Sequence, residues 1–210
     1  TIADAEAAIE LLTPIEFHQD IHLAIGADIH LRRAGHILGA STVEVRWGGK
    51  TIVFSGDLGR YGDPFMFDPE PVRKADYVVV ESTYGDRTHP KVDPMEQLGE
   101  VIDRTVRRGG TIIIPAFAVG RTQLILYHIW MLKKAGQFQN VAIYLDSPMA
   151  INATELLCAH LDDHRFAPQV CKETCSIATY ARDVEASKAI TQDQMPKVVI
   201  AASGMVTGGR

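Results

Sequence analysis

The second half of the chain alternates short apolar runs with segments of helical pattern, and this limits its possible folds more than any other feature. The apolar runs read TIIIPAF, VAIYLDS and KVVIAAS, and we predict helices that begin near Thr122, Pro148 and Asp183. Alternation of strand and helix is typical of βαβ units, in which the strands run parallel. We therefore predict an α/β fold whose second half is a doubly wound parallel sheet.

The first third of the chain has a different pattern, in which strand-like segments follow one another directly. After a short predicted helix at residues 3–12 come the segments ADIHLRRA, STVEVRW and KTIVFSGD. Gly48 and Gly49 separate the last two segments, and a glycine pair between alternating runs indicates a β-hairpin. The continuous apolar run in ADYVVVEST is typical of a strand covered on both faces.

The change from one pattern to the other predicts a domain boundary between residues 84 and 94. We divide the 210-residue chain into a first domain at residues 1–88 and a second at residues 89–210. The chain does not begin with Met, so we expect it to be a piece of a longer protein.

Composition and charge restrict the location and the partners. No apolar run reaches the roughly 18 residues that a membrane-spanning helix needs, and the first residues lack the layout of a signal peptide. Three cysteines, without an export signal, predict reduced thiols in a cytoplasmic protein. The net charge of −5 gives no general attraction to nucleic acid, so any polyanion must be bound by a local arrangement of donors.

Three polar residues, His36, Asp57 and Glu81, each fall at a predicted strand end. Imidazole nitrogen and carboxylate oxygen suit zinc or a similar ion, and an aspartate can bridge two ions. Flanking glycines would let the backbone come close to such a site. Residue types alone favour a plainer interpretation, in which His36 caps a strand, Asp57 makes an Asx-turn and Glu81 is a paired surface carboxylate.

Three donor-rich loops follow the predicted parallel strands. Since the carboxyl ends of parallel strands lie on one edge of a sheet, the loops should lie there together. Helix-start N–H groups, hydroxyls, glycines and arginines are typical of phosphate sites, although any one loop could equally be a helix cap or a turn. The candidate phosphate-binding residues are Arg121, Thr122, Ser147, Ser203, Gly204, Thr207, Gly208, Gly209 and Arg210.

Six motifs, in their order and spacing, resemble the beta-CASP family of metallo-beta-lactamase-fold nucleases. They are AGHILGAS, FSGDLGR, VVVESTYGDRTH, RGGTIIIPAFAVGRTQ, YLDSPMA and VIAASGMVTGGR. The family includes the endonuclease subunit of the eukaryotic pre-mRNA cleavage and polyadenylation machinery and bacterial and archaeal ribonucleases. The resemblance implies part of a metallo-beta-lactamase αββα sandwich at residues 1–88 and an incomplete beta-CASP domain at residues 89–210.

The resemblance also implies a function, the zinc-dependent hydrolysis of RNA phosphodiester bonds. His36 would be a zinc ligand, and Asp57 would be the catalytic carboxylate that bridges two zinc ions. Glu81, the second catalytic residue, would orient a histidine that lies beyond this chain. The three loops would bind the RNA backbone. We expect no membrane partner. Because members of the family often dimerise, the resemblance also allows a homodimer.

The family's first zinc motif, His-x-His-x-Asp-His, has no copy in this chain, and its last zinc-binding histidine would lie beyond Arg210. His36 and Asp57 are a minority of the ligands that two zinc ions need. We therefore expect the isolated chain to bind little or no zinc and to be inactive by itself.

Three other functions remain open alongside an RNA nuclease: a DNA-repair nuclease of the same superfamily, a non-catalytic RNA-binding paralogue, and a small-molecule metallo-hydrolase. Two further patterns resemble metal sites but are better explained otherwise. His160 and His164 have helical metal-ligand spacing without the expected glutamate. Cys171 and Cys175 have no second cysteine pair nearby in the sequence, which favours a structural role for them.

Overall fold

A computed structural model describes residues 1–204 and divides into two compact units. The first unit comprises residues 1–63 and 68–83, and the second comprises residues 64–67 together with the chain from residue 84 onwards. No helix within the described range is long and apolar enough to cross a membrane.

The first unit contains one helix and a five-stranded sheet in the order β1-β2-β3-β4-β5. Strands β1 to β4 pair antiparallel, and β5 pairs parallel with β4. The elements are α1 (Ile2–Ile9), β1 (Asp20–His22), β2 (Asp28–Arg33), β3 (Ser41–Trp47), β4 (Lys50–Phe54) and β5 (Tyr77–Val79).

The predicted hairpin connects β3 to β4. Trp47 pairs with Lys50, so Gly48 and Gly49 alone form the turn. Both glycines have positive φ, 55° and 74°. A two-residue turn with two left-handed residues matches the twist of the strands that it joins and excludes most other residue types.

Strand β5 is formed as predicted, but the prediction that both its faces are covered is wrong. Tyr77, Val78 and Val79 are 59%, 64% and 51% exposed. The strand pairs with β4 at the end of the sheet, and α1, the one helix described in this unit, buries none of its own residues. The apolar run therefore predicts the strand correctly, but it does not predict how exposed the strand is within residues 1–204.

The second unit contains a four-stranded sheet in the order β6-β9-β7-β8, in which every neighbouring pair is parallel. The predicted strands and helices of this half all form, and α2, α5 and β8 are additional. The elements are α2 (Pro94–Arg107), β6 (Thr111–Ala116), α3 (Arg121–Lys134), β7 (Ala142–Asp146), α4 (Pro148–Ala159), a 3-10 helix (Leu161–Asp163), α5 (Pro168–Ser176), β8 (Thr179–Tyr180), α6 (Val184–Gln192) and β9 (Lys197–Ala202).

Helices cover both faces of this sheet. Successive residues of β9 point to opposite sides, and Val198 and Ile200 join one core while Val199 joins another. The first core includes Leu126 from α3 and residues of α2 and α4, and the second includes Ile190 from α6. Strands buried on both faces explain the continuous apolar runs, and the predicted α/β class with a doubly wound parallel sheet is confirmed.

Candidate active site and strand-end loops

The sheet of the first unit brings His36, Asp57 and Glu81 to one edge. Strands β2 and β4 both pair antiparallel with β3, and β5 runs parallel to β4. The carboxyl ends of β2, β4 and β5 therefore point the same way. His36, Asp57 and Glu81 each lie within three residues of one of these ends.

Glycine lets the loops of His36 and Asp57 touch through their backbones. The N–H of Gly59 donates to the carbonyl of Ala34 at 2.8 Å. A Cβ atom at position 59 would lie 1.9 Å from the carbonyl oxygen of Gly35 and 2.9 Å from the nitrogen of His36. Any residue other than glycine would force these two loops apart.

Glu81 is tied to the loop of Asp57 by hydrogen bonds. Its Oε1 accepts from the N–H of Leu58 at 2.8 Å, and its Oε2 accepts from the N–H of Thr83 at 3.3 Å. Its own N–H donates to Oγ of Ser55 at 3.0 Å. Glu81 is thus held by donors of its own unit, which differs from the paired surface carboxylate of the plainer interpretation.

The same contacts set the charge of Glu81. The side chain of Thr83 and the N–H of Leu58 stabilise the carboxylate and hold its pKa below the ordinary value, and the positive form of His36 adds to the effect. Glu81 is therefore ionised at neutral pH.

His36 and Asp57 are both exposed, and neither side chain has a hydrogen-bond partner in the described part of the chain. An imidazole and a carboxylate with unused lone pairs match the donor types that zinc prefers. In number they fall short, because no three-ligand group forms here among residues 1–204. The donor set fits part of a zinc site.

In the second unit the three predicted loops leave the same edge of the parallel sheet. Ala116 at the end of β6 pairs with Ala202 of β9, and Asp146 at the end of β7 pairs with Ala201. The segments that begin at residues 117, 147 and 203 follow directly. The expectation that these loops share one edge is met.

The loop before α3 presents Arg121 to solvent. Gly120, with φ of 78°, precedes the helix and supplies no side-chain cap. Arg121, the first residue of the helix, is exposed and has no ion-pair partner within the described range. An unpaired guanidinium at a helix start is a suitable anion contact.

Thr122 and Ser147, both predicted to bind phosphate, are buried residues that are only 1% and 4% exposed. The hydroxyl of Thr122 donates to the carbonyl of Phe117 at 2.9 Å. Oγ of Ser147 caps α4 by accepting from the N–H of Ala150 at 3.3 Å. Burial and these hydrogen bonds show that both hydroxyls shape their loops, and contact of Thr122 and Ser147 with phosphate stays a prediction.

A buried hydrogen-bond chain that the sequence did not suggest joins two of these loops. Nε2 of Gln123 donates to the carbonyl of Ala118 at 3.0 Å and to Oγ1 of Thr154 at 2.8 Å. The hydroxyl of Thr154 donates to the carbonyl of Ala150 at 2.7 Å. Through this chain the loop before α3 is fixed to the first turn of α4.

The third loop is described only at its start. Ser203 and Gly204 are half-buried, and Gly204 has a positive φ of 51°. The predicted phosphate-binding residues Thr207, Gly208, Gly209 and Arg210 lie outside the described residues.

Comparison with known proteins gives a consistent result. Residues 122–210 match the Beta-Casp domain family. A ribonuclease of Thermus thermophilus is 34% identical over 99% of this chain and 49% of its own length. An RNase J-like protein of Methanocaldococcus jannaschii is 28% identical over 98% of this chain and 49% of its own length.

Cleavage and polyadenylation specificity factor 73 of Drosophila melanogaster is 28% identical over the whole of this chain and 31% of its own length. The chain thus spans about half the length, or less, of these relatives. The resemblance drawn from the six motifs is confirmed by these matches, and residues 122–210 of the chain belong to the Beta-Casp domain family.

Proposed function

We propose that this chain forms part of a zinc-dependent ribonuclease that hydrolyses RNA phosphodiester bonds. The observation that carries the proposal is the contact between the loops of His36 and Asp57. Glu81 joins this group because its carboxylate accepts a hydrogen bond from Leu58, the residue after Asp57. Three relatives with names that denote ribonucleases or a cleavage factor support the same chemistry.

His36 and Asp57 are the residues of this chain that would hold zinc. When bound, zinc neutralises charge on phosphoryl oxygens and lowers the pKa of a water molecule. The two oxygens of Asp57 have no hydrogen-bond partner in the described chain, so both would be available as metal ligands.

Glu81 would act by charge. Its ionised carboxylate is fixed by Leu58 and Thr83, and a fixed carboxylate favours the charged form of a neighbouring imidazole. A charged imidazole is a suitable proton donor to a departing 3′-oxygen. We propose that Glu81 holds such an imidazole in place.

Arg121 would contact the RNA backbone. The chain carries a net charge of −5, so attraction to RNA must come from local donors. Arg121 is exposed at the start of α3 and stands beside the ends of parallel strands, where ligands of such sheets commonly bind.

The replacement Asp57→Ala tests the proposal. In the full-length protein, cleavage of single-stranded RNA should fall about a hundredfold or more and bound zinc should drop, because loss of this carboxylate weakens the hold on the metal. Asp162→Ala, an exposed aspartate of the second unit, is the matched control and should change neither. Full activity of the Asp57 variant would contradict the proposal, and preference for DNA of the same sequence would favour the DNA-repair alternative.

A further inference from the structure

The second unit contains a cluster of three thiols that the ribonuclease proposal does not use. Cys158 lies on α4, and Cys171 and Cys175 lie one turn apart on α5. Sγ of Cys158 is 3.0 Å from Sγ of Cys171 and 2.7 Å from Sγ of Cys175. All three sulfurs lie within 4.8 Å of one another.

The arrangement favours a shared cation over a disulfide. Cys158 is almost equally close to two partners, so a disulfide could use only one of them and would leave the third thiol over. A single metal ion can use all three sulfurs. Thiolate ligands select thiophilic ions such as zinc and copper(I), whereas magnesium and calcium prefer oxygen.

A cavity of about 360 Å³ adjoins the sulfurs and gives an ion both access and charge balance. Lys172 and Tyr180 are among the lining residues, and the hydroxyl of Tyr180 donates to the carbonyl of Cys175 at 2.8 Å. The lining also includes Glu155, whose carboxylate is paired with Arg182 at 2.6 Å. Three thiolates and one divalent ion leave a net charge of −1, which the ammonium of Lys172 would offset. A monovalent ion would leave −2, so the surroundings favour zinc over copper(I).

We propose that Cys158, Cys171 and Cys175 form a trithiolate zinc site that fastens α4 to α5 and is separate from the proposed active site. Binding forms three zinc–sulfur bonds and releases the thiol protons to solvent, without any change of oxidation state. The cavity leaves room for water as a fourth ligand, which completes the tetrahedral coordination that zinc prefers. The inference does not depend on the proposed ribonuclease activity.

Cobalt(II) is the probe that separates this site from the active site. Cobalt bound by thiolates gives a sulfur-to-cobalt charge-transfer band in the near ultraviolet, whereas His36 and Asp57 offer no sulfur. Titration of the purified protein, kept reduced with a phosphine, should produce this band and saturate at one equivalent per chain. Added zinc should remove the band.

Cys158→Ser should abolish the band, and Asp57→Ala should leave it unchanged. A band that survives Cys158→Ser, or no band in the unsubstituted protein, would overturn the proposal. If Cys158→Ser does not fold, alkylation of the unsubstituted protein decides the matter, since zinc should protect all three cysteines in peptide mass spectra. Equal alkylation with and without zinc, or a disulfide in the reduced preparation, would count against the site.

Discussion

The backbone N–H of Leu58 donates a 2.8 Å hydrogen bond to Oε1 of Glu81, across 23 residues of sequence. Leu58 directly follows Asp57, so this bond fixes the position of Glu81 relative to the proposed zinc ligand. An amide oxygen at position 81 could still accept the bond, but it would carry no charge. The role of position and the role of charge can therefore be separated by experiment.

In the full-length protein, Glu81→Gln should keep bound zinc and slow RNA cleavage by about a hundredfold to ten-thousandfold, the range for loss of a positioned acid–base group. Cleavage rate and zinc content measured on the same preparations check this. Glu81→Ala, which also removes the acceptor for Leu58, serves as the comparison and should be less stable than the Gln variant. Loss of zinc from the Gln variant would make Glu81 a metal ligand instead.

The effect of Glu81→Gln on the free energy of unfolding should depend on pH. Because hydrogen bonds lower the pKa of Glu81 from its ordinary value of 4.5, its carboxylate stabilises the folded state above that value. This contribution is lost as pH falls through the lowered pKa. The difference in unfolding free energy between the native protein and Glu81→Gln should thus be constant from pH 7 to about pH 5.5, and should change only in more acidic solution.

Gly59→Ala should destabilise the first unit more than an ordinary turn substitution. The added Cβ would lie 1.9 Å from the carbonyl oxygen of Gly35, and a backbone atom cannot move aside as a flexible side chain does. We expect a loss of about 3 kcal/mol or more in unfolding free energy.

Gly39→Ala is the matched control for that experiment. Gly39 has φ of 76° but no atom within 4 Å of an added Cβ, so the substitution meets strain without a clash and should cost about 1–2 kcal/mol. Urea unfolding of both variants gives the comparison. Equal losses would mean that the approach of Gly59 to Gly35 does not constrain the loops.

Local sequence pattern was sufficient for much of the fold and for part of the site. The hairpin at Gly48 and Gly49 and the strand-end position of His36 follow from residues that are neighbours in sequence. The exposure of β5 did not follow, because an apolar run encodes strand propensity but not what covers the strand. Burial of Thr122 and Ser147 also depends on packing, because a hydroxyl at a helix start gives the same sequence pattern whether it is exposed or buried.

Contacts between distant segments were the part that the sequence could not supply. Cys158 meets Cys171 and Cys175 only because α4 packs on α5, and the pair on α5 looked unpartnered without it. Gln123 and Thr154 are 31 residues apart and meet inside the second unit. A buried glutamine inside a helix gives no periodic signal that would identify its partner.

The bond between Gln123 and Thr154 should show energetic coupling. Gln123→Met and Thr154→Val keep approximate volume but each leaves a buried polar group unpaired, so each should cost about 1–3 kcal/mol. The double variant should cost less than the two single losses together, by about 0.5–3 kcal/mol, as expected for residues in one network.

Urea unfolding of the four proteins measures this coupling. Gln97→Met is the control, since Gln97 is exposed on α2 and its replacement should change stability by about 0.5 kcal/mol or less. Strict additivity of the two buried substitutions would show that the network does not hold the loop before α3 to α4.

The last prediction concerns Arg121 at the carboxyl edge of the parallel sheet. Arg121→Ala should weaken binding of single-stranded RNA about equally for different sequences, because a phosphate contact reads no base. The slope of log affinity against log salt should become shallower by about 0.7, the value for one phosphate contact on a single strand. Fluorescence anisotropy with oligo(U) and oligo(A) at several salt concentrations measures both effects.

Arg108→Ala is the matched control, because Arg108 follows the last residue of α2, just before β6 begins, and so lies at the opposite edge of the same sheet. Removing its positive charge changes the net charge equally but should leave the salt slope unchanged. Arg121→Lys should keep the slope, since the charge remains. It should lose only the part of the affinity that depends on the paired hydrogen bonds of the guanidinium. If Arg108→Ala and Arg121→Ala weaken binding alike, RNA responds to overall charge and the strand-end loops do not grip its backbone.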